Sequence, residues 1–238
     1  MAQVINTNMA ALFGGQALNK SNNHLQTAMA RLSSGLRINS GKDDATGLAL
    51  ATAFDSQIRG ANQAARNASD GISKAQTNDG YIGQIIENTQ RIREIAVQLG
   101  GTAAGTETTA LVAENARIAG LVVATGTVVN NSNGTTYTGL GVAFTAPTGV
   151  TVANADADIV TATAARANFG ADMSVLSSAI ANLQLQSVNL SAQYSRIMDT
   201  DYAAETTNMT RNNILQQAGT AMLAQANQQP NSVLSLLR

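Results

Sequence analysis

Val4, Ala11, Leu18, Leu25 and Leu32 recur every seven residues along the first part of the chain. A seven-residue apolar repeat lays one stripe along an α-helix, and a stripe of that kind has to be covered by another helix. Met29 and Leu36 fill the second seam position, which Asn22 interrupts. After a break at 35–44 the pattern resumes at Phe54, Ile58, Ala61, Ala65, Ala68, Ile72, Ala75, Asp79, Ile82 and Ile86, in steps of four and three. A continuous helix over this part of the chain is about 70 Å long, more than a globule needs. Leu176, Ile180, Leu183, Ser187, Leu190, Tyr194 and Ile197 repeat the same steps, and Leu215, Met222, Leu223 and Ala226 continue an apolar face.

Composition agrees with long packed helices. Hydrophobic residues make up 44% of the 238, but aromatic residues only 3%, with no Trp. A core built on Ala is thin, and Ala favours helix. Charged residues are 12%, about half the usual share, and the net charge is −1. That balance lacks the basic stripe a nucleic-acid partner requires. Without Cys there are no disulfides and no thiolate metal sites. The start, MAQVINTNMAALFGG, has neither a basic region nor a continuous apolar region of a secretory signal. No apolar run reaches the roughly 18 residues that cross a membrane.

Residues 102–163 differ. They are rich in Thr, and their charges are Glu107, Glu114, Arg117, Asp156 and Asp158. ALVAENARIAGLVVA suits a short helix, whereas TVVNNSNGTTYTGLGVAFTAPTGVTVANA suits strands, with NSNG and PTG as turns. Helix returns over 164–229, with Pro147 and Pro230 outside the long helical stretches. The expected fold is mainly α: long antiparallel helices, a terminal coiled coil pairing the two chain ends, and a small β-rich central region at about 102–163.

The connector GLRINSGKDD, residues 35–44, superficially suggests a phosphate loop. Such a loop needs G-x-x-x-x-G-K-[ST]. Here five residues separate Gly35 from Gly41, and Asp43 and Asp44 follow Lys42 where a hydroxyl belongs. The simpler reading is a helix–loop–helix connector. Gly35 ends the first helix in the left-handed conformation, NSG turns, and Ser40, Asp43 or Asp44 caps the next helix. His24 has no second ligand or base nearby and belongs on a helix surface. Asp199, Asp201 and Glu205 form an acidic cluster, read as a solvated face or an ion pair with Arg196 or Arg211. There is no G-x-S-x-G elbow to activate a serine. No cofactor is implied.

QRIREIAVQ, residues 90–98, places Ile92, Ile95 and Leu99 on one face, with Arg91 three residues from Glu94. This composition fits either a solvent face with a modest ion pair or a recognition surface.

INTNMAAL, LSSGLRINSGKDDATGLALA, QRIREIAVQ and the terminal LQQAGTAMLAQANQQPNSVLSLLR occur in this order, and together they resemble bacterial flagellin. The resemblance covers about the first 100 and last 70 residues, with a short, divergent middle. It implies a structural subunit that polymerises into the helical flagellar filament for motility, with no catalytic site. A hook–filament junction protein is the alternative. Residues 1–43 and 196–238 would form the halves of an inner coiled-coil domain, and 44–195 an outer helical domain. The subunit interface would involve Val4, Ile5, Leu18, Leu25, Leu32, Leu215, Met222, Leu223, Val233, Leu234, Leu236 and Leu237. The resemblance further implies an extracellular location reached by export without a cleaved signal peptide, through the flagellar export apparatus. A chaperone would bind the C-terminal segment, and the filament cap and junction proteins would be further partners; neither nucleic acid nor membrane is among them. A Toll-like innate receptor would recognise Gln90, Arg91, Glu94 and Ile95, with Ile95 where Leu is more usual. Thr135, Thr136 and Thr138 are read as β-forming residues rather than as glycosylation sites.

Overall fold

The computed structural model describes residues 7–123, 127–129, 136–139 and 144–236, with backbone alone at 127–129 and 229–236. Its elements are helices α1 (Met9–Ser34), α2 (Ala45–Gln98) and α3 (Thr106–Ala119), strands β1 (Thr127–Val129) and β2 (Thr136–Thr138), and helices α4 (Val152–Met198) and α5 (Tyr202–Leu236). They form two compact units. Residues 1–53 with 193–238 make the first, and residues 54–192 make the second.

In the first unit, α1 packs antiparallel to α5. The Asn8 carboxamide caps α1, its Oδ1 accepting from the Ala11 amide at 3.1 Å. Its Nδ2 also donates to the carbonyl of Ala226 at 2.8 Å, tying the start of α1 to the far part of α5. Gly35 ends α1 with φ 72°, and its amide donates to the carbonyl of Arg31. Beyond it the chain meets the α4–α5 connector. The Arg37 amide donates to the carbonyl of Met198, the Thr200 amide donates to that of Gly35, and Leu36 pairs with Asp199 in an antiparallel bridge. Ile38 is buried there with Ala51 and Met198, against Leu36, Leu48, Tyr194 and Ile197. Asp44 caps α2: its Oδ1 accepts from the Gly47 amide at 2.8 Å. The carboxylate of Asp43 turns back instead and accepts from the amides of Asn39 and Ser40 and from the Ser40 hydroxyl. The connector reading of 35–44 therefore stands, with Gly35 as the stop and Asp44 as the cap.

In the second unit, α2 and α4 run antiparallel. Ala61 and Ala64 meet Leu183, Ala68 meets Leu176, and Ala75 and Ile82 meet Ala162 and Phe169. The α4 seam is a strict seven-residue repeat, Ala155, Ala162, Phe169, Leu176, Leu183 and Leu190, all buried. On α2 the buried positions include Ala61, Ala64, Ala68, Ala75, Asn78, Ile82, Ile85, Thr89, Ile92 and Ala96. The side chains expected in the second seam position, Ala65, Ile72, Asp79 and Ile86, flank this line and are half-buried. Helix α3 covers one end through Ile118 and Ala119 on Ile85. A buried polar chain accompanies it: Asn88 Nδ2 donates to Asn115 Oδ1, and Asn115 Nδ2 donates to Thr89 Oγ1.

Three expectations need correction. Among the described residues the β content is one antiparallel two-stranded ladder, Thr127↔Thr138 to Val129↔Thr136, beside the isolated bridges Leu36↔Asp199 and Thr102↔Thr151. Much of 102–163 is α3 and the beginning of α4, because Ala155 and Ala162 extend the α4 repeat backwards through Thr-rich sequence. The NSNG turn and Thr135 lie outside the described residues. Finally, α5 continues through Pro230 to Leu236, although an interior proline removes a ladder donor and crowds the carbonyl four residues back.

Candidate functional site

The α1–α5 pair has two contrasting faces. Its inner seam is made of small and polar groups between leucines. On α1 the residues turned toward α5 include Ala11, Gly14, Leu18, Ser21, Leu25, Ala28 and Leu32, in steps of three and four, with Ser21 and Ala28 buried. The second seam position thus holds Gly14, Ser21 and Ala28, one residue before the expected Asn22 and Met29. Met29 is 47% exposed. On α5 the line is Glu205, Met209, Asn212, Gln216, Gly219, Leu223 and Ala226.

The small residues allow close approach. A β-carbon on Gly14 would sit 3.4 Å from Leu223 Cδ1, and one on Gly219 would sit 3.4 Å from Leu18 Cδ1. Each leucine therefore rests on a glycine of the other helix. The Ser21 hydroxyl donates to the carbonyl of Asn212 at 3.0 Å. Half-buried leucines of this kind contribute about 1 kcal/mol each, half the value of full burial. Such a seam aligns two helices more than it stabilises them.

A second set of large apolar side chains points away from the seam. Met9, Leu12, Phe13 and Met29 on α1, and Ile214, Leu215 and Met222 on α5, are all about half exposed or more. Of the residues expected at a subunit interface, Leu18, Leu25, Leu32 and Leu223 therefore lie in the seam within the chain. Leu215 and Met222 lie outside it; they do not share the buried line of Leu223. Val4, Ile5 and Leu237 fall outside the described residues, and only the backbone of Val233, Leu234 and Leu236 is described.

The acidic cluster is dispersed. Asp201 caps α5, its Oδ1 accepting from the amides of Ala203 and Ala204. Glu205 is buried in the seam and lies 3.8 Å from Arg31, not beside Arg196 or Arg211. The antiparallel seam, invisible in local spacing, brings that partner from α1. His24 is exposed on α1. Among the described residues no three His, Cys, Asp or Glu side chains gather as a metal site, and no helix is long and apolar enough to cross a membrane.

In the second unit Gln90, Arg91 and Glu94 are exposed, while Ile95 is half-buried against Ile92, Ala96 and Ala103. Leu99 does not share the face of Ile92; it is exposed. Arg91 is held twice, with Nε on Glu107 Oε1 at 3.0 Å and Nη1 on Glu94 Oε2 at 3.1 Å. Hydrogen bonding to Glu107, then to Glu94, pushes its already high pKa further up. Sequence spacing pointed to Glu94 alone, because Glu107 comes from α3. Arg93 pairs with Asp156, and Arg166 pairs with Asp79.

These features define a class: a structural protein of paired helices whose exposed apolar surface suits it to assembly. Residues 5–138 match the family model of the bacterial flagellin N-terminal helical region, and residues 152–237 match that of the C-terminal helical region. The flagellar filament 33 kDa core protein of Treponema phagedenis is 36% identical, covering 99% of this chain and 100% of its own. Flagellin 1 of Proteus mirabilis is 33% identical, with 100% of both chains covered. Flagellin of Salmonella typhimurium is 59% identical over 98 residues, which are 41% of this chain and 20% of that one. The chain belongs to the bacterial flagellin family. It is a structural subunit of the flagellar filament, an extracellular polymer of one repeated chain, and its middle is short. The junction alternative gains no support from these matches.

Proposed function

We propose that the outward apolar face of the α1–α5 pair is the subunit interface of this filament. The observation that carries this is the second apolar face: with Leu18, Leu25, Leu32 and Leu223 already in the seam among glycine, serine, alanine and amides, Met9, Leu12, Phe13 and Met29 on α1 and Ile214, Leu215 and Met222 on α5 still face outward. In that reading Leu215 and Met222 contact neighbouring copies, and Leu18, Leu25, Leu32 and Leu223 hold the pair that presents them. Val4, Ile5, Val233, Leu234, Leu236 and Leu237 extend the same interface. Residues 1–43 with 196–238 are the inner shell, and 44–195 the outer. Repeating one heterologous contact without closure builds a helical tube.

The same surface has to be shielded before assembly. This supports export through the flagellar apparatus with a chaperone on the C-terminal segment, and assembly beneath cap and upon junction proteins. Recognition by a Toll-like receptor at Gln90, Arg91, Glu94 and Ile95 is supported by the exposure of the first three and by the fixed guanidinium of Arg91.

Electron microscopy of the purified chain, cooled with filament seeds, tests the reading. Long tubes grown from this one polypeptide are expected. A chain that stays monomeric or stops at short caps overturns it.

A further inference from the structure

Helix α5 carries an open groove lined by Thr206, Thr207, Thr210, Arg211, Ile214 and Leu215. Its threonines are apolar in effect. The hydroxyls of Thr206, Thr207 and Thr210 donate to the carbonyls of Tyr202, Ala203 and Thr206 on their own helix. Side-chain oxygens occupied in this way leave γ-methyl groups for a ligand. Ile214 and Leu215 are largely exposed in the same groove. Arg211 is exposed and has no ion-pair partner among the described residues. A methyl-lined groove beside one free guanidinium suits an aromatic ring, which takes apolar contact on its edges and a cation on its face.

The chain has four phenylalanines. Phe169 is fully buried, and Phe54, Phe144 and the tyrosines Tyr81, Tyr137 and Tyr194 are half-buried. The exposed Tyr202 is turned toward Gly35 beside the groove on its own helix, which leaves Phe13, 65% exposed. Its own groove is out of reach. The seam contacts of Gly14 with Leu223 and Leu18 with Gly219 place Phe13 level with the part of α5 just beyond Leu223. At 1.5 Å per residue the groove lies about 20 Å away along the helix. In a polymer of one repeated chain, the neighbour at this surface is another copy.

We propose that this groove receives the phenyl ring of Phe13 from a second copy, with Arg211 against the ring face. This deepens the interface reading above and rests on it. Ring and groove occupy different heights on the same pair, so the contact is heterologous and displaces each copy along the axis. A displaced heterologous contact does not close on itself, which is what an open helical polymer requires.

Because the chain has no cysteine, the pairing is directly testable. Full-length Phe13→Cys and Thr210→Cys chains are co-assembled on wild-type seeds and treated with a short bifunctional thiol reagent. A mixed Phe13→Cys/Thr210→Cys dimer as the main product is expected. Only like-with-like dimers, or no cross-link in formed filaments, overturns the pairing. If the cysteine chains fail to enter filaments, the critical concentrations of Phe13→Leu, Arg211→Gln and the double variant decide. Each single change is expected to raise it about two- to five-fold, and the double no further than the worse single, as for a lost cation–ring contact. Effects that multiply overturn the pairing. Unaltered polymerisation of Met222→Lys would instead sink the interface reading, so the two failures are distinct.

Discussion

The hydroxyl of Tyr202 lies 2.9 Å from where a β-carbon on Gly35 would stand, and Gly35 has φ 72°. Two independent restraints therefore disfavour a side chain where α1 ends: the left-handed backbone, and the Tyr202 hydroxyl at the first residue of α5. Gly35→Ala is expected to destabilise the helix pair by about 1–2 kcal/mol from the backbone term alone. Thermal depolymerisation of filaments measures it. Adding Tyr202→Phe is expected to recover the part due to overlap and leave the backbone part.

Gly47 reverses a common rule. Alanine normally favours a helix over glycine by about 1 kcal/mol. Here a β-carbon would crowd the Asp44 carboxylate that caps α2 and lie 2.8 Å from Ile38 Cδ1. Gly47→Ala is expected to lower stability, read as faster amide exchange at position 47 and at Leu48 than in the wild-type chain. Slower exchange would contradict the packing of Ile38 under the cap.

The Asp43 carboxylate is held below its ordinary value of 3.8, first by the Ser40 hydroxyl, then by the amides of Asn39 and Ser40. A depressed carboxylate supports the folded connector above pH 3.8 and loses that support as pH falls through its lower folded value. The protection of the Asn39 and Ser40 amides, taken relative to the intrinsic exchange rate at each pH, is therefore expected to fall below pH 3.8. Asp43→Asn should remove the pH dependence, and persistence of that dependence would refute this assignment.

Tyr137 on β2 donates its hydroxyl to Asp172 Oδ1 at 2.7 Å, and Asp172 is fully buried. Burial, then the Asp172 bond, pushes the phenol up to about 12. A raised phenol contributes stability below pH 10 that disappears as pH rises through about 12. In an alkaline titration of tyrosine absorbance, one tyrosine should ionise last, and Tyr137→Phe should delete that step. The substitution should also cost about 1–3 kcal/mol by depriving a buried carboxylate of a donor. A titration unchanged by Tyr137→Phe would refute the tether.

The long helices were legible because Leu176, Leu183 and Leu190 announce a seven-residue repeat in large side chains. The same repeat at Ala155 and Ala162 was hidden by small side chains among β-forming threonines. The second seam position of α1 was misplaced for a related reason. Met29 has the apolar character and Ala28 the buried position, and an apolar pattern favours the larger residue although a close helix pair requires the smaller. The partners of Glu205 and Arg91 were only partly visible, since Arg31 and Glu107 arrive from other helices. The outward turn of Leu215 and Met222 could not be distinguished from seam burial, because a stripe on one helix does not reveal which neighbour covers it.

The account turns on that outward face, and Met222, 67% exposed, is its most exposed large apolar side chain among the described residues of α5. The decisive measurement is seeded polymerisation of full-length Met222→Lys beside the wild-type chain, followed by electron microscopy and light scattering. The account predicts no filaments from the variant, with the proteolytic resistance of residues 54–192 retained. Filaments of normal length at an unchanged critical concentration would contradict it.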